Sequence, residues 1–213
     1  MKTSHPDLSH EQQAGAAAGR HVCGVDEVGR GPLAGPVMAA AVILPFGRLP
    51  VELARAINDS KKLSRTTRER LVPEICATAV AVAVGSATVR EIEDLNILRA
   101  ALLAMARAVA GLEVQPDHVL VDGRYLPPGL PCPATALIRG DQSSLSIAAA
   151  SIVAKVARDK EMERISEEFP QFGWSHNAGY PTAEHVAALR RWGPSPHHRA
   201  TFAPVREELA IRR

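Results

Sequence analysis

Residues 144–168 limit the possible folds more than any other stretch of this chain. They read as one long helix whose first half, SIAAASIVAKVA, is almost entirely small or β-branched. A helix with such a surface can lie close against a sheet. A second helix is expected over about 88–110, where Ile92, Leu95, Leu98, Leu102, Met105 and Val109 recur at steps of three and four along one face. Thr88 is its N-cap, Glu91 completes a capping box, and Gly111 ends it. Between and before these helices lie short apolar runs with strand character: 21–27, 37–44 (stopped by Pro45), 78–85, 118–121 and 134–138. A basic stretch over 58–72 holds a loop and then a short helix, 127–133 is a Pro-rich loop, and 182–192 is a further short helix. Strands alternate with helices, but the first two strands follow one another with no helix between them. That order predicts an α/β fold with a mixed sheet.

A chain of 213 residues is the length of one compact domain with room for an appendage. With 46% hydrophobic residues and only 4% aromatics, its core must be aliphatic. Cys23, Cys76 and Cys132 have neither metal-ligand spacing nor a pairing logic, which points to free thiols in a reducing compartment. Residues 1–20 lack the apolar stretch of a signal peptide and are expected to form a flexible lead-in. No apolar run approaches the ~18 residues of a membrane helix, so a cytoplasmic protein is expected. The net charge of +2 is unevenly spread: residues 55–70 and 190–213 each sum to +4, while 71–189 sum to −5. Basic flanks around an acidic middle suit a polyanion, although two solvated faces would look the same.

Where the acids sit is more specific than how many there are. Asp26 and Glu27 end the first apolar run, Asp122 ends the run 118–121, and Asp141 follows 134–138 after Arg139-Gly140. Each alone is compatible with a surface turn. Together they repeat one pattern, a carboxylate at a strand end, where open α/β sheets form their sites. Asp26 and Glu27 would point to opposite faces within a strand, so they are expected just past its end. Carboxylates gathered without Cys or His ligands repel one another unless a hard cation is present, which means Mg2+ or Mn2+. Two such ions about 4 Å apart support phosphodiester cleavage. After the first acids comes Gly29-Arg30-Gly31-Pro-Leu-Ala-Gly35, which has neither the dinucleotide nor the Walker A spacing. Its glycines let the backbone approach a ligand, and a ribose 2′-OH, donor and acceptor at once, is the expected one.

The run GVDEVGRGPLAGPV (24–37) resembles the signature of the ribonuclease HII family, in its bacterial form. In the same order follow NDSKKLS (58–64), EDLNILRA (93–100), VLVDG (119–123), Gly140-Asp141 with SIAAASIVAKVARD (146–159), GYPT (179–182) and HHRATF (197–202), so the resemblance spans about 21–205. One departure is Thr201, where the family usually has serine; the hydroxyl is kept. The resemblance implies a ribonuclease H-like fold over 21–170 with a substrate-contacting C-terminal helical extension over 171–213. It implies catalytic metal ligands at Asp26, Glu27, Asp122 and Asp141, with Asp26 shared between two Mn2+ or Mg2+ ions. It puts the 2′-OH reader at Gly29, Arg30 and Gly31, and at Tyr180 a ring against the sugar, which from its turn alone would pass as structural. Ser60, Lys61 and Lys62 fall in a family motif and are expected to bind substrate, the lysines as phosphate contacts. The implied activity is endonucleolytic cleavage of the RNA strand of RNA–DNA hybrids and nicking 5′ of single ribonucleotides in duplex DNA, as in ribonucleotide excision repair, leaving 3′-hydroxyl and 5′-phosphate ends. A monomer with no membrane partner is expected. Asp159 is read as structural, paired with Lys155; His185, His197 and His198 either contact nucleic acid or fasten the C-terminal part. A hybrid-binding protein without catalysis would show a damaged acidic set, and a junction resolvase would lack the GRG loop and GYPT; neither pattern is seen.

Overall fold

The computed structural model describes residues 5–212. In chain order it has α1 (Ser9–Gln13), β1 (Val22–Val28), β2 (Val37–Ile43), α2 (Val51–Ala56), α3 (Arg65–Thr78), β3 (Ala81–Ala87), α4 (Val89–Leu95), α5 (Ile97–Ala110), β4 (His118–Asp122), β5 (Ala134–Leu137), α6 (Leu145–Glu168), α7 (Trp174–Asn177), α8 (Ala183–Trp192) and α9 (Ala203–Ile211). The five strands form one sheet in the order β3-β2-β1-β4-β5. β1 pairs antiparallel with β2 and parallel with β4, so the expected mixed sheet is present with β1 at its centre.

Alternation along the strands divides the core. Cys23 and Val25 of β1 and Ala39, Ala41 and Ile43 of β2 pack with Ala100, Ala104, Ala108 and Val109 of α5. Ala40 and Val42 pack on the other face with Ala148, Ala149 and Ile152 of α6 and Leu71 and Ile75 of α3. The small residues of α6 allow the close approach anticipated for them. At Gly24 a Cβ would stand 2.2 Å from the Ser146 carbonyl carbon, so α6 crosses β1 where the strand has no side chain. The start of α6 is set by Ser144, whose hydroxyl accepts the Ile147 N–H.

Three expectations need correction. The helix expected over 88–110 is two helices, broken at Asn96 (φ 72°), whose side-chain oxygen accepts the Leu98 and Arg99 N–H groups and so starts α5. With ψ 162° Asn96 lies outside the left-handed helical region, in backbone that residues other than glycine rarely adopt, so the break carries strain that the two-donor cap offsets, and it leaves the apolar periodicity intact. The strand expected at 78–85 lies at 81–87, because α3 continues through Pro73 to Thr78. The lead-in is anchored from residue 5 onward; residues 1–4 lie outside the described residues. Asp7 forms a bridge with Ser144, and buried Glu11 accepts the Ser144 hydroxyl at 2.6 Å and the Ser146 N–H at 2.9 Å. A carboxylate there meets the positive end of α6, an attachment made by one acid and therefore invisible to periodicity.

Candidate functional site

The register explains how the acids meet. The last β1–β4 pair is Val25 with Val121, so Asp26 and Asp122 are the next residues on two parallel neighbours. On its other side β1 stays paired with β2 through Val28, with Asp26 opposite Ala40 and Glu27 opposite Ala39. Asp26 and Glu27 therefore lie inside a strand, past its end only on the β4 side, which corrects the placement expected for them. Asp26, Glu27 and Asp122 each offer an oxygen within 4.8 Å of the others. Asp26 is buried, and its Oδ1 accepts the Glu27 N–H at 2.7 Å. Burial first, then the Glu27 and Asp122 charges, push its carboxyl well above the usual carboxylate range, against a hydrogen bond from Ser151 on α6. Asp122, half-buried, is raised by burial and by Glu27, while the Gly140 N–H, donated at 2.7 Å, holds it down. Asp141 is buried on the turn Gly140–Gln142 and is not among the three clustered acids. It is within electrostatic reach: its carboxyl is raised by burial, then by Asp122 and Asp59, and lowered by Lys61 and Lys62.

A cleft of about 170 Å³ opens on the Asp26 side, lined by Asp26, Glu27, Asp122, Ser60, Lys61, Arg68, Ser151, Lys155 and Tyr180. Tyr180 stands 41% exposed at its rim, and a Cβ on Gly31 would lie 3.6 Å from its ring, so the GRG loop and GYPT adjoin. Lys61 and Lys62 are exposed on the turn Ser60–Lys62, which Asp59 caps through the Lys61 N–H at 2.9 Å. Arg68 holds the same turn by donating to the Ser60 and Leu63 carbonyls. Ser60 itself is buried, its hydroxyl 2.7 Å from that of Ser151, so it supports the Asp26 surroundings from behind.

Asp159 pairs with Lys155 at 2.6 Å, as expected. Of the histidines, His185 and His198 are buried and bonded to each other at 3.1 Å, and Trp174 donates its indole N–H to His185 at 3.0 Å. They fasten the C-terminal helices and do not line the cleft. Ser151 carried no chemical signal in the sequence, Lys155 entered there only as the partner of Asp159, and Arg68 only as part of a basic stretch, yet all three line the cleft. Arg199, counted in a basic patch, is fully buried. Arg213, in the same patch, lies outside the described residues.

The family model of ribonuclease HII matches residues 23–205. The chain is 57% identical over 206 residues to a ribonuclease HII of Rhodospirillum rubrum, covering 96% of this chain and 92% of that protein. It is 55% identical to one of Paramagnetospirillum magneticum, covering 96% and 98%. The chain belongs to the ribonuclease HII family. Among solved structures, ribonuclease H2 of Pyrococcus horikoshii superposes with a TM-score of 0.75 at 27% identity, over 90% of this chain and 99% of that one. Bst-RNase HIII in complex with Mn2+ shares the fold, with a TM-score of 0.73 at 21% identity over 91% and 71%. As a ribonuclease HII, the chain is a metal-dependent endoribonuclease of the ribonuclease H type, acting on RNA–DNA hybrids, on a ribonuclease H-like fold. Among the described residues no helix is long and apolar enough to cross a membrane.

Proposed function

We propose that this ribonuclease HII, besides cutting the RNA strand of hybrids, nicks duplex DNA on the 5′ side of a single embedded ribonucleotide and leaves 3′-hydroxyl and 5′-phosphate ends. The observation that carries this reading is the adjacency of the acidic cluster to the GRG loop and Tyr180 around one cleft. The cluster fits hard divalent cations. Its donors are all oxygen, and burial together with their mutual repulsion holds Asp26 and Asp122 above their ordinary range. Asp26, Glu27 and Asp122 would hold Mn2+ or Mg2+, with Asp141 completing the set. Bound there, such ions supply water activation and charge stabilisation at the leaving oxygen.

The chain's own residues do the rest. Backbone groups of Gly29, Arg30 and Gly31 meet the 2′-OH, and the Tyr180 ring lies against the sugar next to the cut. Lys61 and Lys62 take phosphates of the duplex and set its register, while buried Ser60 positions Ser151 and, through it, Asp26. Removal of misincorporated ribonucleotides is the task this specificity serves.

Asp26→Asn tests the assignment. It should lower cleavage on the order of a thousandfold or more, while hybrid affinity in EDTA stays within about twofold because phosphate contacts dominate it. Turnover near that of the unaltered protein would remove Asp26 from the metal site.

A further inference from the structure

The loop that leaves β1 is held from inside by two buried guanidinium groups. Arg199, ahead of α9, donates to five backbone contacts: Nε to Gly35 O at 3.0 Å, Nη1 to Pro32 O at 2.7 Å and Arg30 O at 3.2 Å, and Nη2 to Gly29 O at 2.7 Å and Gly35 O at 2.8 Å. Arg158, on α6, donates to Pro36 O, Ala34 O and Ala178 O. It thereby ties the loop to the turn carrying Tyr180, as does the Leu33 N–H bonded to Gly179 O at 2.8 Å. Gly29 fits only without a side chain: it has φ 93°, and a Cβ would stand 2.2 Å from Arg158 Nε. Neither arginine has a carboxylate partner among the described residues. Burial pushes Arg199 down to about 9 and Arg158 to about 10, so both stay charged at neutral pH. Two like charges buried together are costly to fold around. Such a departure from ordinary packing is expected where function requires it.

The planar trans peptide gives the arrangement a direction. When a carbonyl points at Arg199, the N–H of the same peptide points the opposite way. With the Gly29 and Arg30 carbonyls fixed on the guanidinium, the N–H groups of Arg30 and Gly31 face away from it. Both residues are exposed, neither N–H has a partner among the described residues, and Gly31 adjoins Tyr180. We infer that Arg199 is a positioning residue for ribonucleotide discrimination, aiming the Arg30 and Gly31 amides at the substrate sugar through the carbonyls behind them. The inference rests on the proposed role of the GRG loop.

The test is the affinity of the full chain, in EDTA, for a duplex with one ribonucleotide and for the same duplex as DNA throughout. Arg199→Lys keeps the charge but loses the planar fork. It should reduce the preference for the ribonucleotide duplex on the order of tenfold and leave affinity for the all-DNA duplex within about twofold. Preference retained by Arg199→Lys, or affinity for both duplexes falling together, would overturn the role of Arg199 alone. No preference in the unaltered protein would instead overturn the reading of the loop on which it rests. If Arg199→Lys does not fold, hydrogen exchange on the unaltered protein decides. The Leu33 and Gly35 amides should be protected throughout, and the Arg30 and Gly31 amides should gain protection only with the ribonucleotide duplex. Free exchange at Leu33 and Gly35, or equal protection of Arg30 and Gly31 by both duplexes, overturns the inference.

Discussion

The sheet with its two long helices and the C-terminal helices are built from different materials. The first is Ala, Val, Ile and Leu, interdigitated so closely that α6 crosses β1 at a glycine. The second gathers most of the few aromatics: Phe172 stacks on Trp174 at 5.0 Å, and Phe169, His185, His197 and His198 complete the group. The aliphatic part carries the acids on a rigid central strand. The aromatic part carries Arg199 and Tyr180 and so shapes what reaches them. Stability in the first is a matter of volume and apolar area. In the second it depends on polar atoms whose partners must all be kept.

The difference can be broken at Trp174. Trp174→Ala removes a fully buried ring together with the indole N–H that satisfies His185, and should cost about 3–5 kcal/mol in denaturant unfolding. Ile147→Val, in the aliphatic part, should cost only about 0.5–1.5 kcal/mol. Comparable losses would mean that the two regions are not distinct in construction.

Acid should separate them next. Burial pushes His198 from 6.5 down to about 3 and lowers His185 as well. Both are neutral in the fold, and the unfolded chain takes up protons first as pH falls. The His198 contribution is complete above pH 6.5 and is lost progressively toward pH 3, at up to about 1.4 kcal/mol per pH unit, and His185 acts in the same direction. Hydrogen exchange at pH 5 should show α8 and α9 opening while β1 and β2 stay protected. Simultaneous opening of the strands would contradict this.

The metal site carries the opposite sign. Because the Asp26 carboxyl lies above its unfolded value, its ionised form weakens the metal-free fold at high pH. Asp26→Asn should therefore raise the metal-free melting temperature by a few degrees at pH 8 and progressively less toward pH 5. The smallest effect should come from the exposed turn. Lys61→Ala or Lys62→Ala should each reduce the salt dependence of hybrid binding by about one counterion. An unchanged slope would return these lysines to ordinary solvated surface.

The same contrast governs what could be read in advance. Asp122 at the end of β4, the Thr88–Glu91 capping box and the length of α6 were legible because periodicity and turn chemistry act locally. Convergence of Asp26 with Asp122 follows from β1 and β4 being parallel neighbours, a strand order that local pattern does not contain. The break at Asn96 preserved the apolar steps and so left no trace. Arg158 and Arg199 were hidden for another reason: a buried arginine bonded only to carbonyls looks, in a sequence, like any surface arginine. Glu11 was hidden in the same way.

The most direct test is cleavage of an end-labelled DNA duplex carrying one ribonucleotide, with Mn2+ or Mg2+ and with EDTA, beside an all-DNA duplex and one with four consecutive ribonucleotides. The expected result is a single metal-dependent nick on the 5′ side of the lone ribonucleotide and no cutting of the all-DNA duplex. Cutting of the four-ribonucleotide duplex alone would contradict the reading of the 2′-OH by Gly29, Arg30, Gly31 and Tyr180, and cutting in EDTA would contradict the metal site at Asp26, Glu27 and Asp122.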